Sequence, residues 1–196
     1  MDRLRAKYNF MSLETKAALW FAMCNFINKG IAMIVVPLYT RMLTTEEYGM
    51  YTVFQSWLNI FIIIATLEIS RGHYKVGITK YDEDVDNYTI SVLGLSNIVT
   101  ILFIVIYLCA IPVFNNLLEM PTYLVLSMFG YLLVYPAWEF WTIQQRFAYK
   151  YKTMVAATLA VAILSPVIGV AGIYLLNMQS DAAIFSKLLI QGVFAL

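Results

Sequence analysis

Long apolar runs, broken by short charged or proline-bearing stretches, set the pattern of this chain. Crossing about 30 Å of hydrocarbon takes roughly 20 helical residues. Five runs reach that length, over residues 17–39, 50–70, 88–113, 121–142 and 154–176. A sixth starts at Ala182 and is still apolar at Leu196. About fifteen helical residues cover only about 23 Å, so this span is expected to be incomplete and the chain a piece of a longer protein. The expected fold class is an all-α polytopic membrane protein, with a polar arm over residues 1–16 and a six-span bundle over 17–196 whose last helix is truncated.

The breaks carry local signals of their own. Thr44-Thr45-Glu46-Glu47 reads as a capping box opening the second helix. Pro112 and Pro121 are expected to bracket a short turn around Asn115 and Asn116. Asp82, Asp84 and Asp86 precede the third span, where negative charge suits the helix dipole. In the fifth span Ala156, Ala160, Gly169 and Gly172 permit close helix approach, and Pro166 is expected to kink the helix, which would suit either a hinge or a static bend.

Composition agrees with the pattern. Of 196 residues, 61% are hydrophobic and 13% charged, and the mean hydropathy is +0.73. Soluble domains sit near 45–50% apolar and about 25% charged, so a soluble enzyme, a disordered chain and a disulfide scaffold are excluded. The net charge of +1 leaves no basic field for nucleic acid. The single His73 builds no metal site or catalytic triad alone, and Cys24 and Cys109 lie in apolar runs where a thiol acts as a small hydrophobe.

Arg and Lys positions predict the orientation. Arg3, Arg5, Lys7 and Lys16 precede the first span, Arg71, Lys75 and Lys80 follow the second, and Arg146, Lys150 and Lys152 follow the fourth. The opposite side holds only Arg41. The positive-inside rule then puts the N-terminus in the cytoplasm. The first apolar run is too long for a cleaved signal peptide. Tyr39, Tyr48, Tyr51 and Tyr123 are expected at the outer interface, and Trp138, Trp141, Tyr149 and Tyr151 at the inner one.

Polar residues at membrane depth are the candidates for function, because a charge at mid-bilayer costs at least about 2.5–3.5 kcal/mol. Lys29 lies twelve residues into the first span, roughly 18 Å deep. Helical spacing groups it with Asn25, Asn28, Ala32 and Val36, opposite Met23, Ile27, Ile31 and Ile34. Lining a cavity is one reading of this stripe; pairing with a carboxylate in the missing half of the protein is the other. Gln55 and Asn59 share a polar face of the second span that either lines the same cavity or joins helices. Glu68 and Arg71 read as an interfacial ion pair, with a gate as the functional alternative. Glu139, one turn from the interface, either pairs with Arg146 or Lys16 or serves as a protonatable coupling carboxylate. Lys187 is expected to reach outward to the interface, and Asn97 to pack.

No catalytic or metal constellation accompanies these residues. The acids of residues 82–86 resemble the start of a calcium loop, but Asn87 replaces its glycine and Leu93 its bidentate glutamate. Phosphate-loop, HExxH and GxSxG patterns are absent. No enzyme activity, cofactor or metal is expected.

One further pattern is specific. Ser12, Lys16, Trp20, Asn25 and Lys29-Gly30 lead into Pro37-Leu38-Tyr39-Thr40-Arg41-Met42-Leu43-Thr44-Thr45-Glu46-Glu47-Tyr48-Gly49-Met50-Tyr51. This run resembles the opening of polysaccharide biosynthesis membrane proteins, the O-antigen and capsule repeat-unit flippases of the multidrug/oligosaccharidyl-lipid/polysaccharide exporter superfamily. The resemblance implies two bundles of six helices, of which this chain matches the N-terminal one, with the C-terminal bundle as its missing partner. It also implies alternating-access movement of an undecaprenyl-pyrophosphate-linked oligosaccharide across the bacterial cytoplasmic membrane, with Lys29 among the cations that hold the anionic headgroup. A drug or cation antiporter of the same superfamily is the alternative, favoured by acids rather than lysines at depth. A non-transporting membrane scaffold is the third reading, and it has little use for a mid-membrane cation.

Overall fold

A computed structural model describes residues 11–70, 72–176 and 179–195, all eight of whose regular elements of four or more residues are α-helices. They are α1 (Leu13–Met42), α2 (Thr45–Ala65), α3 (His73–Lys80), α4 (Val85–Cys109), α5 (Ile111–Leu118), α6 (Thr122–Phe147), α7 (Tyr151–Leu176) and α8 (Gln179–Ala195). Five of them, α1, α2, α4, α6 and α7, are long and apolar enough to cross a membrane.

The first two helices pair the exposed backbone groups of their N-termini with side chains, which an apolar surrounding favours. Ser12 caps α1 by accepting from the Thr15 amide at 3.3 Å. The capping box expected at α2 is formed: the Thr44 hydroxyl accepts from the Glu47 amide at 3.3 Å, and Glu47 Oε2 from the Thr44 amide at 2.7 Å. A cap of this kind is worth about 1 kcal/mol, and it lets the chain reverse within residues 43–44.

Two of the breaks differ from expectation. The second span stops at Ala65 rather than at residue 70, because Leu67 and Glu68 take left-handed backbone (φ 50° and 53°). The buried Ser96 hydroxyl on α4 donates to the Ala65 carbonyl at 2.9 Å, so a neighbouring helix satisfies the terminus that the turn exposes. The third span ends at Cys109, and the expected turn between Pro112 and Pro121 is instead helix α5. Pro112 sits in its first turn, where the missing N–H costs nothing. Asn115 fastens this corner, accepting from the Tyr107 hydroxyl at 2.8 Å and donating to Thr122 Oγ1 at 2.8 Å.

Helix α6 is the axis of the assembly. Half of its most apolar stretch is buried, against 6% of that of α1. Leu124, Val125, Met128, Phe129 and Leu132 meet Phe54 and Leu58 of α2, Tyr107 of α4 and Ile184 of α8 in one core. Phe61 places its edge on both Phe103 and Phe129, with centroids 5.9 and 5.6 Å away. Short helix α3 wedges between α4 and α6. Tyr74 lies 4.4 Å from Phe140, and Gly77 leaves room for the Tyr88 ring, which a Cβ there would strike.

The most extensive helix pair is α7 with α8, and it is built on small residues as the sequence pattern suggests. A Cβ on Gly172 would lie 2.8 Å from that of Ala182. Helix α7 runs unbroken through Pro166. Helix α1 packs against α7 through Cys24, Met154 and Val155, with Trp20 stacked on Tyr151 at 6.4 Å.

Gly172→Ala should therefore force α7 and α8 apart and cost about 1–3 kcal/mol, whereas Gly130→Ala, with open space at its Cβ, should leave stability unchanged or raise it by up to about 1 kcal/mol. Thermal unfolding in detergent distinguishes the two variants. Equal melting temperatures would contradict this packing.

Candidate functional site

Two cavities with polar groups in their lining open in the bundle. The first, of about 250 Å³, lies among α1, α2, α7 and α8. Its cation is Lys187 of α8, whose Nζ donates to Gln55 Oε1 of α2 at 2.6 Å. An ammonium has three N–H donors and no acceptor, so this one bond leaves two directions open. Among the described residues Lys187 meets no carboxylate.

Several of the polar groups around Lys187 lack partners. Because an ammonium can only donate, Gln55 must turn its oxygen toward Lys187. Its Nε2 is thereby left buried without a hydrogen bond. Ser165 Oγ on α7 and Asn28 Oδ1 on α1 are likewise buried and unpartnered. Asn28 touches only Cys24 Sγ through Nδ2, at 3.9 Å. Tyr39 and Tyr51 close one end with an edge-to-face contact of 5.4 Å. Tyr39 reaches this position because residue 169 is glycine: a Cβ there would strike the Tyr39 hydroxyl and lie 2.9 Å from Ser186 Oγ.

The second cavity, of about 320 Å³, lies beside the break between α2 and α3. Glu139 and Arg146 of α6 line it with Ser70 and Lys75. Ser70 donates to Glu139 Oε1 at 2.8 Å, and the Arg146 guanidinium lies 5.8 Å from the centre of the Phe21 ring. Polar residues join the two cavities. Gln191, one turn beyond Lys187, accepts from the Tyr131 hydroxyl at 2.7 Å, and Tyr131 contacts Tyr135 at 5.4 Å. Tyr131, Tyr135 and Glu139 stand four residues apart on one face of α6.

The sequence-predicted residues divide among these places. Asn28 lines the first cavity, Gln55 braces its cation, and Glu139 lines the second. Asn25, Lys29 and Asn59 are exposed on the bundle surface and line neither. Glu68 sits in the left-handed turn, off any helix face, and Arg71 lies outside the described residues. The polar stripe of α1 is thus split. Ala17, Cys24 and Tyr39 are its buried positions, and they turn Asn28, Ile31 and Val35 inward while Lys29 faces out. Ile31, expected on the opposite face, lines the cavity.

Lys187 was expected to reach the interface. It points inward instead because α8 is surrounded by α2, α6 and α7. The available signal was its spacing: Ser186-Lys187 and Gln191 place polar groups one turn apart in an apolar run. Tyr39 and Ser165 carried no such signal. Among the described residues no group of three His, Cys, Asp or Glu side chains could hold a metal.

Helices of this length and apolarity, packed around polar cavities, define a multi-pass α-helical membrane protein. A family model described as polysaccharide biosynthesis protein matches residues 15–196, and the chain belongs to that family. No curated protein and no solved structure matches it.

Ser70→Ala should remove a hydrogen bond to a carboxylate and lower stability by about 1.5–3 kcal/mol, while Tyr131→Phe should cost about 0.5–1.5 kcal/mol. Denaturant titration in micelles measures both. A larger loss for Tyr131→Phe than for Ser70→Ala would contradict the assignment of Glu139 as the stronger acceptor.

Proposed function

We propose that this protein moves a lipid-linked, undecaprenyl-pyrophosphate-bearing oligosaccharide repeat unit across the bacterial cytoplasmic membrane by alternating access. The observation that carries this reading is Lys187, an inward-facing cation without a carboxylate partner among the described residues, in a chain of a polysaccharide biosynthesis family. A diphosphate entering a low-dielectric layer needs a countercharge, and Coulomb attraction strengthens as the dielectric falls.

In this reading the chain is a six-helix N-terminal bundle, with α8 as its sixth helix and a C-terminal bundle completing the exporter. The arm over residues 1–16 lies in the cytoplasm, as the distribution of Arg and Lys supports. Asn25, Lys29 and Asn59, exposed on α1 and α2, then contribute to the surface that cargo crosses, and Asn28 and Gln55 to the inner cavity. Glu139, Glu68 and Arg71 are proposed as gate or coupling groups. The protein is a transporter and not an enzyme in this reading. The lining of the Lys187 cavity includes no acid, which favours anionic cargo over the cationic drugs of an antiporter.

Lys29→Ala should abolish surface polysaccharide while the protein remains at normal levels in the membrane. Quantifying cell-surface glycan and membrane-fraction protein together tests this. Wild-type glycan in the variant would remove Lys29 from the cargo surface.

A further inference from the structure

Sequence pattern and backbone disagree most at the end of α2. The apolar run continues to residue 70, yet the helix stops at Ala65. The Leu67 and Glu68 amides turn back to the Ile64 and Ile63 carbonyls at 3.1 and 3.3 Å. That pair of bonds is a Schellman ending, whose left-handed position glycine usually occupies. Leucine stands there instead, with φ 50°, and a second left-handed residue, Glu68, follows with φ 53°. Bulky L side chains are strained in that region. Neither glycine nor proline occurs between Gly49 and Gly72, so the run holds no strong stop signal of its own.

Contacts with other helices supply the stop. In a continued helix the Ala65 carbonyl would accept from the Ile69 amide. Here it accepts from the buried Ser96 hydroxyl of α4 at 2.9 Å, and the Ile69 amide donates to the Thr66 carbonyl at 3.0 Å. Ser70, also buried, is tied to Glu139 of α6 at 2.8 Å. Two hydroxyl bonds, one to α4 and one to α6, thus hold a turn that its own residues disfavour.

We propose that residues 66–70 form a helix-length switch: in a second state of the protein α2 continues from Ala65 through Ser70, with Ser96 released from Ala65 and Ser70 released from Glu139. The backbone bonds all have successors in that state. The Leu67 and Glu68 amides exchange their two carbonyls, Ile69 takes the Ala65 carbonyl that Ser96 leaves, and the Ser70 amide takes that of Thr66. The Ser96 hydroxyl turns to the Val92 carbonyl of its own helix. Leu67 and Glu68 return to right-handed backbone and lose their strain, while Thr66 already lies in that region. Five helical residues carry Ser70 about 7.5 Å along the axis of α2. Ser70 and Lys75 line the cavity that also holds Glu139 and Arg146, so the same step withdraws Ser70 from that wall and shifts the start of α3. Strain held in place only by its surroundings is the mark of a switch region. This switch follows from the backbone and its neighbours, and it does not depend on what the protein carries.

Paired spin labels at the exposed positions Ile60 on α2 and Val76 on α3 test it in the purified full chain, in a background carrying Cys24→Ala and Cys109→Ala. The native turn is expected to give mainly one distance. Ser70→Ala with Ser96→Ala removes both hydroxyl bonds and should raise, at least threefold, the share of a second distance longer by about 5–8 Å. Leu67→Gly with Glu68→Gly suits the left-handed turn and weakens a continued helix, and should leave the shorter distance alone. Combined with the Ser70 and Ser96 changes, the Leu67 and Glu68 changes should cancel the longer distance. If the double serine variant does not fold, Ser96→Ala alone carries the comparison. No gain of the longer distance without the hydroxyls would overturn the switch. A gain that survives the Leu67 and Glu68 changes would also overturn it, because it reports a loosened turn and not a continued helix.

Discussion

An ammonium held inside a helix bundle, with no carboxylate partner among the described residues, is the constraint on which the rest of this structure turns. Removing a charge from water costs several kcal/mol unless geometry and hydrogen bonds offset it. Here a single bond from Lys187 to Gln55 does part of that work. Placing the lysine there requires α8 to lie tightly on α7, which in turn requires Gly169 and Gly172 at the contact. The same closeness admits Tyr39 from α1 beside Ser186. Four helices, α1, α2, α7 and α8, are thus committed to the environment of one side chain.

The remaining helices form a stiffer frame. Helix α6 is buried along half its most apolar stretch and packed by aromatic rings, whereas α1 contributes three buried residues over thirty. Helix ends away from the cavity are closed by paired groups: the capping box at Thr44, Ser96 on the Ala65 carbonyl, and Asn115 between Tyr107 and Thr122. Ser165 Oγ and Asn28 Oδ1, on residues lining the cavity, and Nε2 of Gln55, the residue that holds Lys187, are unpaired. Tyr131 and Tyr135 stand between that pocket and the Ser70–Glu139 pair on one face of α6.

Much of this was legible in the chain, for identifiable reasons. Apolar run length reports spans directly, and the Thr44–Glu47 box and the glycines of α7 are local signals whose physics does not depend on distant residues. Helices α3 and α5 were not legible, since eight-residue helices owe their stability to contacts such as Tyr74 on Phe140 rather than to their own sequence. The inward lysine was misassigned for a related reason. Depth along a helix follows from counting residues, but rotation about its axis is set by what packs on it. Asn28 and Lys29 differ by about 100° in direction, and the buried line through Cys24 and Tyr39 selects Asn28. Lys187 looked able to reach the interface from its place in the run, yet α8 packs on α2, α6 and α7, and it is Leu189 and Val193 that stay exposed.

The account's central claim is that Lys187 is left uncompensated for the sake of an anionic cargo. Gln55→Glu tests it most directly, because it supplies the missing carboxylate at the 2.6 Å contact. Thermal unfolding and surface polysaccharide should be measured on the same variant. The account predicts a melting temperature equal to or above that of the native protein, together with loss of surface polysaccharide. A stable variant that exports at the native level would contradict it.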